Sequence, residues 1–178
     1  RAIAEVLGRD IATDEVLQAW THAYQQLADI LIGAEGAIYD EKAEAVGGWR
    51  GAREFKLVNR VDESAEITSF YLQPADDGPI LGFTAGQYIG LQLFIGGEEM
   101  RRNYSLSAVA GGNQYRISVK REPNGVVSNY LHDQLQIGDS LQLFTPSGEF
   151  TLTESQKPLV LISGGVGITP TLDRKSVV

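Results

Sequence analysis

Arg102-Asn103-Tyr104-Ser105 decides how this chain is read. The four residues fall in an alternating segment, so a strand would send Arg102 and Tyr104 to one face and Asn103 and Ser105 to the other. A planar cation beside an aromatic ring suits a nucleotide. The guanidinium can fork onto a pyrophosphate oxygen while the phenol ring packs against a flat heterocycle. Taken alone, the same residues could equally be an exposed strand pair. Upstream, Gly86-Gln87-Tyr88 puts a second aromatic, Tyr88, at a strand start behind a glycine that permits close backbone approach; its plain alternative is a core position. Downstream, Gly125-Val126-Val127-Ser128 opens a short helix, where free amides and the positive dipole end favour a phosphate. The plain alternative there is an N-cap on Ser128.

Around these residues, short alternating runs separated by turn residues mark strands at 55–61, 67–73, 88–95, 102–107, 114–120 and 140–144, interrupted by one helix at 127–136. Six strands at this spacing suggest a closed antiparallel barrel. Before it, Val16, Leu17, Trp20, Tyr24, Leu27, Ile30, Leu31 and Ala34 recur at helical spacing over 13–39, with Thr13 placed to cap. Residues 1–7 read as the end of another helix, stopped near Gly8. Two such helices cannot bury their apolar stripes alone, so further helices are expected upstream. Gly47-Gly48-Trp49-Arg50-Gly51 breaks the helical period and sets the boundary before the barrel. After it, Leu159-Val160-Leu161-Ile162 reads as a strand buried on both faces of a parallel sheet, followed by a glycine-rich loop from Gly164.

The bulk properties agree with small-molecule chemistry. The 178 residues are 43% hydrophobic and 21% charged, with a formal net charge of −8. No basic stripe exists to release phosphate counterions, which argues against nucleic acid or an anionic membrane as partner. No window approaches the ~20 apolar residues of a membrane span, and no leader is visible. The chain has no cysteine, so no disulfide framework or thiolate metal site is expected, no metal ligand is assigned, and a cytoplasmic location is. The tail, 173–178, can be back-translated into a sequence resembling a common sequencing-library adapter and reads as non-native; its alternative is a polar helical turn.

The ordered set Gly-Gln-Tyr, Arg-x-Tyr-Ser, Gly-x-x-Ser at a helix start and Gly-Gly-Val-Gly-x-Thr-Pro after an apolar run resembles the ferredoxin-NADP reductase superfamily. That resemblance implies an FAD site. Tyr104 would stack on the isoalloxazine, and Arg102 with Gly125, Val127 and Ser128 would bind the pyrophosphate; Tyr88, Asn103 and Ser105 complete the expected set. Gly165-Val166-Gly167-Ile168-Thr169-Pro170 looks like the family's first nicotinamide-contacting loop, although its spacing is not that of the usual Gly-x-Gly-x-x-Gly. The upstream helix, the Gly47-Gly48-Trp49 junction and Val119-Lys120-Arg121-Glu122 leading into Gly125 narrow the likeness: over 1–172 the chain is similar to flavohaemoglobins.

Similarity to flavohaemoglobins implies a multidomain fragment: two C-terminal globin helices (1–47), a six-stranded antiparallel β-barrel of the ferredoxin-reductase FAD-binding type (48–156), and the first strand and loop of an α/β nicotinamide-binding domain (157–172). It implies, too, a parent enzyme that converts nitric oxide to nitrate with O2 and NAD(P)H, passing electrons through FAD to haem. Glu35 is the catalytic residue carried over, a carboxylate that in the family hydrogen-bonds a Tyr and the haem-ligating His; read without the family, it is a solvated helix-end glutamate. His22 and His132 are not expected to bind iron, whose ligand would lie upstream. Two other readings stand beside this one: a ferredoxin-reductase-like flavoprotein feeding an oxygenase or an iron–sulfur partner, and a fragment that is itself no enzyme.

Overall fold

The computed structural model describes residues 2–8, 10–107, 112–151 and 160–172. It forms two compact units, Arg1–Glu41 and Lys42–Val178. In the first, helix α1 (Ala2–Leu7) stops at Gly8, whose φ of 78° is the left-handed conformation that glycine adopts without a Cβ clash. Helix α2 (Asp14–Glu44) starts where the sequence predicts, with the Val16 amide donating to Thr13 Oγ1 at 3.4 Å, and runs past the expected end at 39 into the second unit. None of its residues is buried, and Trp20, Tyr24, Leu27 and Ile30 of the predicted stripe are exposed.

The second unit is built on one six-stranded antiparallel sheet, as the spacing predicts: β1 (Arg53–Asp62), β2 (Ile67–Pro74), β3 (Tyr88–Ile95), β4 (Glu98–Ser105), β5 (Tyr115–Lys120) and β6 (Ser140–Leu143), in the order β4-β3-β6-β1-β2-β5. Alternation puts Phe55 and Leu57, Phe70 and Leu72, Ile89 and Leu91, and Tyr115 and Ile117 into one core, all fully buried. β4 begins four residues before its expected start. Gly96 and Gly97, at φ 61° and 85°, form a two-residue turn that pairs Ile95 with Glu98 directly. The polar run Glu98-Glu99-Met100-Arg101 hides that pairing from a hydrophobicity pattern, because Glu98, Glu99 and Arg101 are exposed.

Residues 42–49 pack on this sheet. Lys42 Nζ donates to Pro146 O at 2.8 Å and Ser147 Oγ at 2.7 Å, and Trp49 Nε1 donates to Leu143 O at 3.0 Å. The double glycine is fixed by contact: a Cβ on Gly47 would overlap the Ile80 backbone and one on Gly48 the Lys42 carbonyl.

Among the described residues the sheet closes at one place. β4 and β5 are its two edges, and they meet through the Leu106–Ile117 bridge and the Ser107 amide donating to Arg116 O at 2.9 Å. On the other side of that bridge, residues 102–105 of β4 and 118–120 of β5 are not paired with each other, and helix α3 (Val126–Asp133) follows β5 directly. It ends earlier than the expected 136, because Gln134 leaves the helix and Gly138, at φ 99°, turns the chain back into β6.

The apolar run before the glycine loop corrects the sequence reading. Leu159 lies outside the described residues, while residues 160–162 form no strand, with Val160 79% and Ile162 90% exposed. A parallel strand needs neighbours to bond its amides and carbonyls, and the described residues provide none there. A 3-10 turn (Gly165–Ile168) and a short helix α4 (Thr169–Leu172) come next. Residues 173–178 lie outside the described residues.

Candidate functional site

A groove of about 470 Å³ opens where β4 and β5 part. One wall is Arg102, Asn103, Tyr104 and Ser105 of β4; the opposite wall is Ser118, Val119 and Lys120 of β5 with Glu122. The start of α3 contributes Gly125, Val126, Val127 and Ser128, and the glycine loop with the start of α4 contributes Val166, Gly167, Thr169 and Pro170. Three stretches that the sequence singles out separately therefore face one space. Tyr88, Gly165 and Ile168 do not line it. Tyr88 pairs through its backbone with Ser147 and sits with its ring against Gly148, where a Cβ would come within 2.9 Å of Cδ1. Glu35, on the first unit, accepts a hydrogen bond from Tyr39 OH at 2.5 Å and is exposed.

The register explains the β4 wall. Tyr104 pairs with Ile89 and Arg102 with Leu91, so both share a face with core positions of β3. Tyr104 packs partly against that core, and burial pushes its phenol up to about 12, with the Arg102 guanidinium pulling the other way. The hydroxyl therefore stays a neutral donor across physiological pH. Arg102 donates to Arg101 O at 2.7 Å and joins no ion pair among the described residues. Its charge is available to an anion. Lys120 is engaged differently, 3.2 Å from Glu122 Oε1.

On the α3 wall the plain alternative, a Ser128 cap, is not what forms. Gly125 holds the N-cap position without a side-chain bond, and Ser128 is the third helical residue. Its hydroxyl accepts from the Glu122 amide at 3.2 Å and donates to Gly125 O at 3.3 Å, tying the turn before the helix to its first turn. A Cβ on Gly125 would lie 2.5 Å from that hydroxyl. First-turn amides of a helix have no acceptor within it, so this end of the groove offers N–H donors and positive dipole potential to an anion.

On the last wall, Thr169 Oγ1 donates to Val166 O at 2.9 Å and holds the turn closed. His132 lies outside the groove lining. Its Nε2 is 3.0 Å from Val119 O and its Nδ1 3.4 Å from Thr68 Oγ1, contacts that tie α3 to β5 and β2. Sequence reasoning missed Ser118, Lys120 and Glu122. Their place on the wall depends on where the sheet fails to close, which pattern alone does not reveal.

The chain has counterparts among known proteins. Curated relatives include the flavohemoprotein of Pseudomonas putida, 68% identical over 172 residues, covering 97% of this chain and 44% of that protein, and that of Burkholderia sp., 67% identical with the same coverage. The chain thus spans less than half the length of these relatives. Among solved structures, the flavohemoglobin of Malassezia yamatoensis with bound FAD and heme superposes over 97% of this chain and 44% of its own, at 33% identity and a TM-score of 0.80. The flavohem-like FAD/NAD binding domain of nitric oxide dioxygenase from Vibrio cholerae matches 70% of this chain and 56% of its own, at 45% identity and a TM-score of 0.67. The family described as the oxidoreductase FAD-binding domain matches residues 54–152, β1 through the segment after β6. By that match, and as a homologue of flavohemoproteins, the chain belongs to the FAD-binding oxidoreductase domain family.

Proposed function

We propose that the groove between β4 and β5 holds FAD, and that the full-length protein is a flavohaemoglobin-type nitric oxide dioxygenase. The observation that carries the first part is the convergence of an unpaired guanidinium, a largely buried phenol and a helix start on one groove. These groups fit FAD. Arg102 and the first-turn amides of Val126, Val127 and Ser128 would hold the pyrophosphate, with Gly125 leaving room for the Ser128 hydroxyl that braces the turn. Tyr104 would give a flat face and a neutral hydroxyl, with Asn103 and Ser105 beside it. Val166, Gly167, Thr169 and Pro170 would border the place where NAD(P)H approaches, with Gly165 and Ile168 shaping the turn; Tyr88 would buttress this end of the sheet. Bound there, FAD supplies the conversion of a two-electron hydride donor into one-electron delivery to haem. The chain's own residues bind, orient and exclude water; none of them has to change protonation state.

The activity is carried over from the relatives: nitric oxide and O2 to nitrate at the expense of NAD(P)H, with haem bound by a segment upstream of residue 1. Glu35 would then be the positioning carboxylate of the haem site; in this chain it accepts a hydrogen bond from Tyr39 OH one turn on. Among the described residues no helix is long and apolar enough to cross a membrane, and the cytoplasm is the proposed compartment, to be checked by cell fractionation.

The test is a visible absorption spectrum of the purified full-length protein together with NADH-driven nitric oxide consumption. Flavin and haem bands together, and haem bands altered by Glu35→Gln, support the reading; flavin bands without haem would reject the flavohaemoglobin part. Arg102→Ala should weaken FAD about tenfold or more and riboflavin much less, because only FAD carries the pyrophosphate. Equal losses would make Arg102 a structural residue.

A further inference from the structure

Asn124 stands immediately before the proposed anion-binding end of the groove, in a backbone shape that few side chains take. Its φ is 64°, one of two left-handed non-glycine residues among the described residues, and it is exposed. Asparagine tolerates that conformation better than most residues, and Pro123 ahead of it has the fixed φ of a first turn corner. The Gly125 amide closes the turn by donating to Glu122 O at 2.9 Å. Two side chains of α3 brace the same glutamate: Asn129 Nδ2 donates to Glu122 O at 3.2 Å, and Ser128 Oγ accepts from the Glu122 amide at 3.2 Å.

An asparagine followed by glycine carries its own electrophile and nucleophile. The Gly125 nitrogen can attack Asn124 Cγ, with no Cβ on Gly125 to obstruct the approach. A new N–Cγ bond forms, the Cγ–Nδ2 bond breaks, and the amide hydrogen leaves with Nδ2 as ammonia. Water then opens the resulting five-membered imide at either carbonyl, giving aspartate or, with the main chain routed through Cγ, isoaspartate. No oxidant or reductant takes part. In the closed turn the hydrogen on that nitrogen is held by Glu122 O, so the turn has to open first, and the Asn129 and Ser128 bonds set how often it does.

We propose that Asn124-Gly125 is a self-modification site whose chemistry switches off the anion end of the groove. Either product replaces a neutral amide by a carboxylate one residue before the N-cap Gly125, where it repels a pyrophosphate and competes for the positive end of α3. Isoaspartate also lengthens the backbone by one atom just ahead of the amides of Val126, Val127 and Ser128. The effect on binding rests on the groove's being the FAD site, and the coupling runs both ways: FAD bound on those amides stabilises the closed turn and slows the modification.

The test ages the full-length protein, FAD-free and FAD-saturated, in warm, mildly alkaline buffer. Peptide mass spectrometry reads aspartate and isoaspartate at residue 124, FAD is titrated before and after, and the same chain unfolded in guanidinium gives the unrestrained rate. FAD-free wild type should convert at residue 124 more slowly than the unfolded chain, and saturating FAD should slow it about tenfold further. Asn129→Ala, with its melting temperature read alongside, should convert about fivefold faster, the loss of one hydrogen bond on the closed turn. The modified protein should bind FAD on the order of fivefold more weakly. Asn124→Gly, which takes the left-handed φ without a side-chain amide, should keep its affinity through the same ageing. Folded protein that stays unmodified at residue 124 while the unfolded chain converts overturns the proposal, as does full modification with FAD affinity unchanged; both leave the FAD reading standing. An Asn129→Ala chain that ages no faster than wild type overturns the turn as the gate. Fresh wild-type protein that binds no FAD sinks the reading and the switch together.

Discussion

At the scale of single residues, Tyr104 is the group whose physical state can be checked without any ligand. An unfolded tyrosine ionises near 10, while burial holds folded Tyr104 at about 12 despite Arg102. Below the lower value both states are protonated and the residue contributes no pH dependence. Between the two, the unfolded chain has released a proton that the folded chain keeps, so stability falls as pH rises through this window and levels off above the folded value. Tyr104→Phe removes that loss. The stability of the variant relative to the wild type, from denaturant midpoints, should improve between about pH 9 and about pH 11. A difference that stays flat with pH would mean that the phenol is not desolvated. The ring of Tyr104 was legible from Arg-x-Tyr-Ser and its alternation. Its desolvation was not, since that comes from the pairing with Ile89.

At the scale of elements, the turn from β5 into α3 shows how closely the proposed anion-binding end of the groove is built. Gly125 has φ −74°, which alanine adopts easily, so the backbone does not demand glycine there. Space does. A methyl group would lie 2.5 Å from Ser128 Oγ and 3.0 Å from Glu122 Cβ, and that hydroxyl is the one joining Glu122 to Gly125. Gly125→Ala should therefore cost on the order of 1–3 kcal/mol of stability and weaken FAD. Adding Ser128→Ala should return much of the stability by removing the obstructing atom, as measured by chemical unfolding. A double variant no more stable than the single one would show that the hydroxyl is not the obstacle. The sequence located this helix start because glycine and serine flank an apolar turn. It left a cap on Ser128 open as the plain alternative, because spacing does not distinguish a capping serine from one inside the first turn that braces it. The elements misread elsewhere have the same kind of cause: β4 starts with exposed charges that a tight glycine turn brings into register, and residues 160–162 look like a buried strand but lack partners among the described residues. Periodicity reports which face could be buried; it does not report what is available to bury it.

At the scale of the whole molecule, the residues between the long helix and the first strand belong to the barrel rather than to a free linker. The Trp49 ring lies 5.5 Å from Phe55 and 6.4 Å from Tyr115, and Arg53 stacks 5.5 Å over it. The same guanidinium binds Asp76 at 2.6 Å and Pro79 O at 2.9 Å, so one indole, one cation and one carboxylate close this end of the sheet. Arg53 holds the Asp76 carboxyl below its usual range; as that group is largely exposed, most of the stabilisation here is expected from the indole. Trp49→Ala should lower the unfolding free energy of the barrel unit by about 2 kcal/mol, less than for a fully buried tryptophan because the ring is only partly covered. Arg102 and the α3 start are held by β4 and β5, so flavin affinity at low temperature should change little. Chemical unfolding followed by flavin release separates the two quantities. Were Trp49→Ala to abolish FAD binding while leaving stability intact, this corner would have to be part of the cofactor site rather than its support.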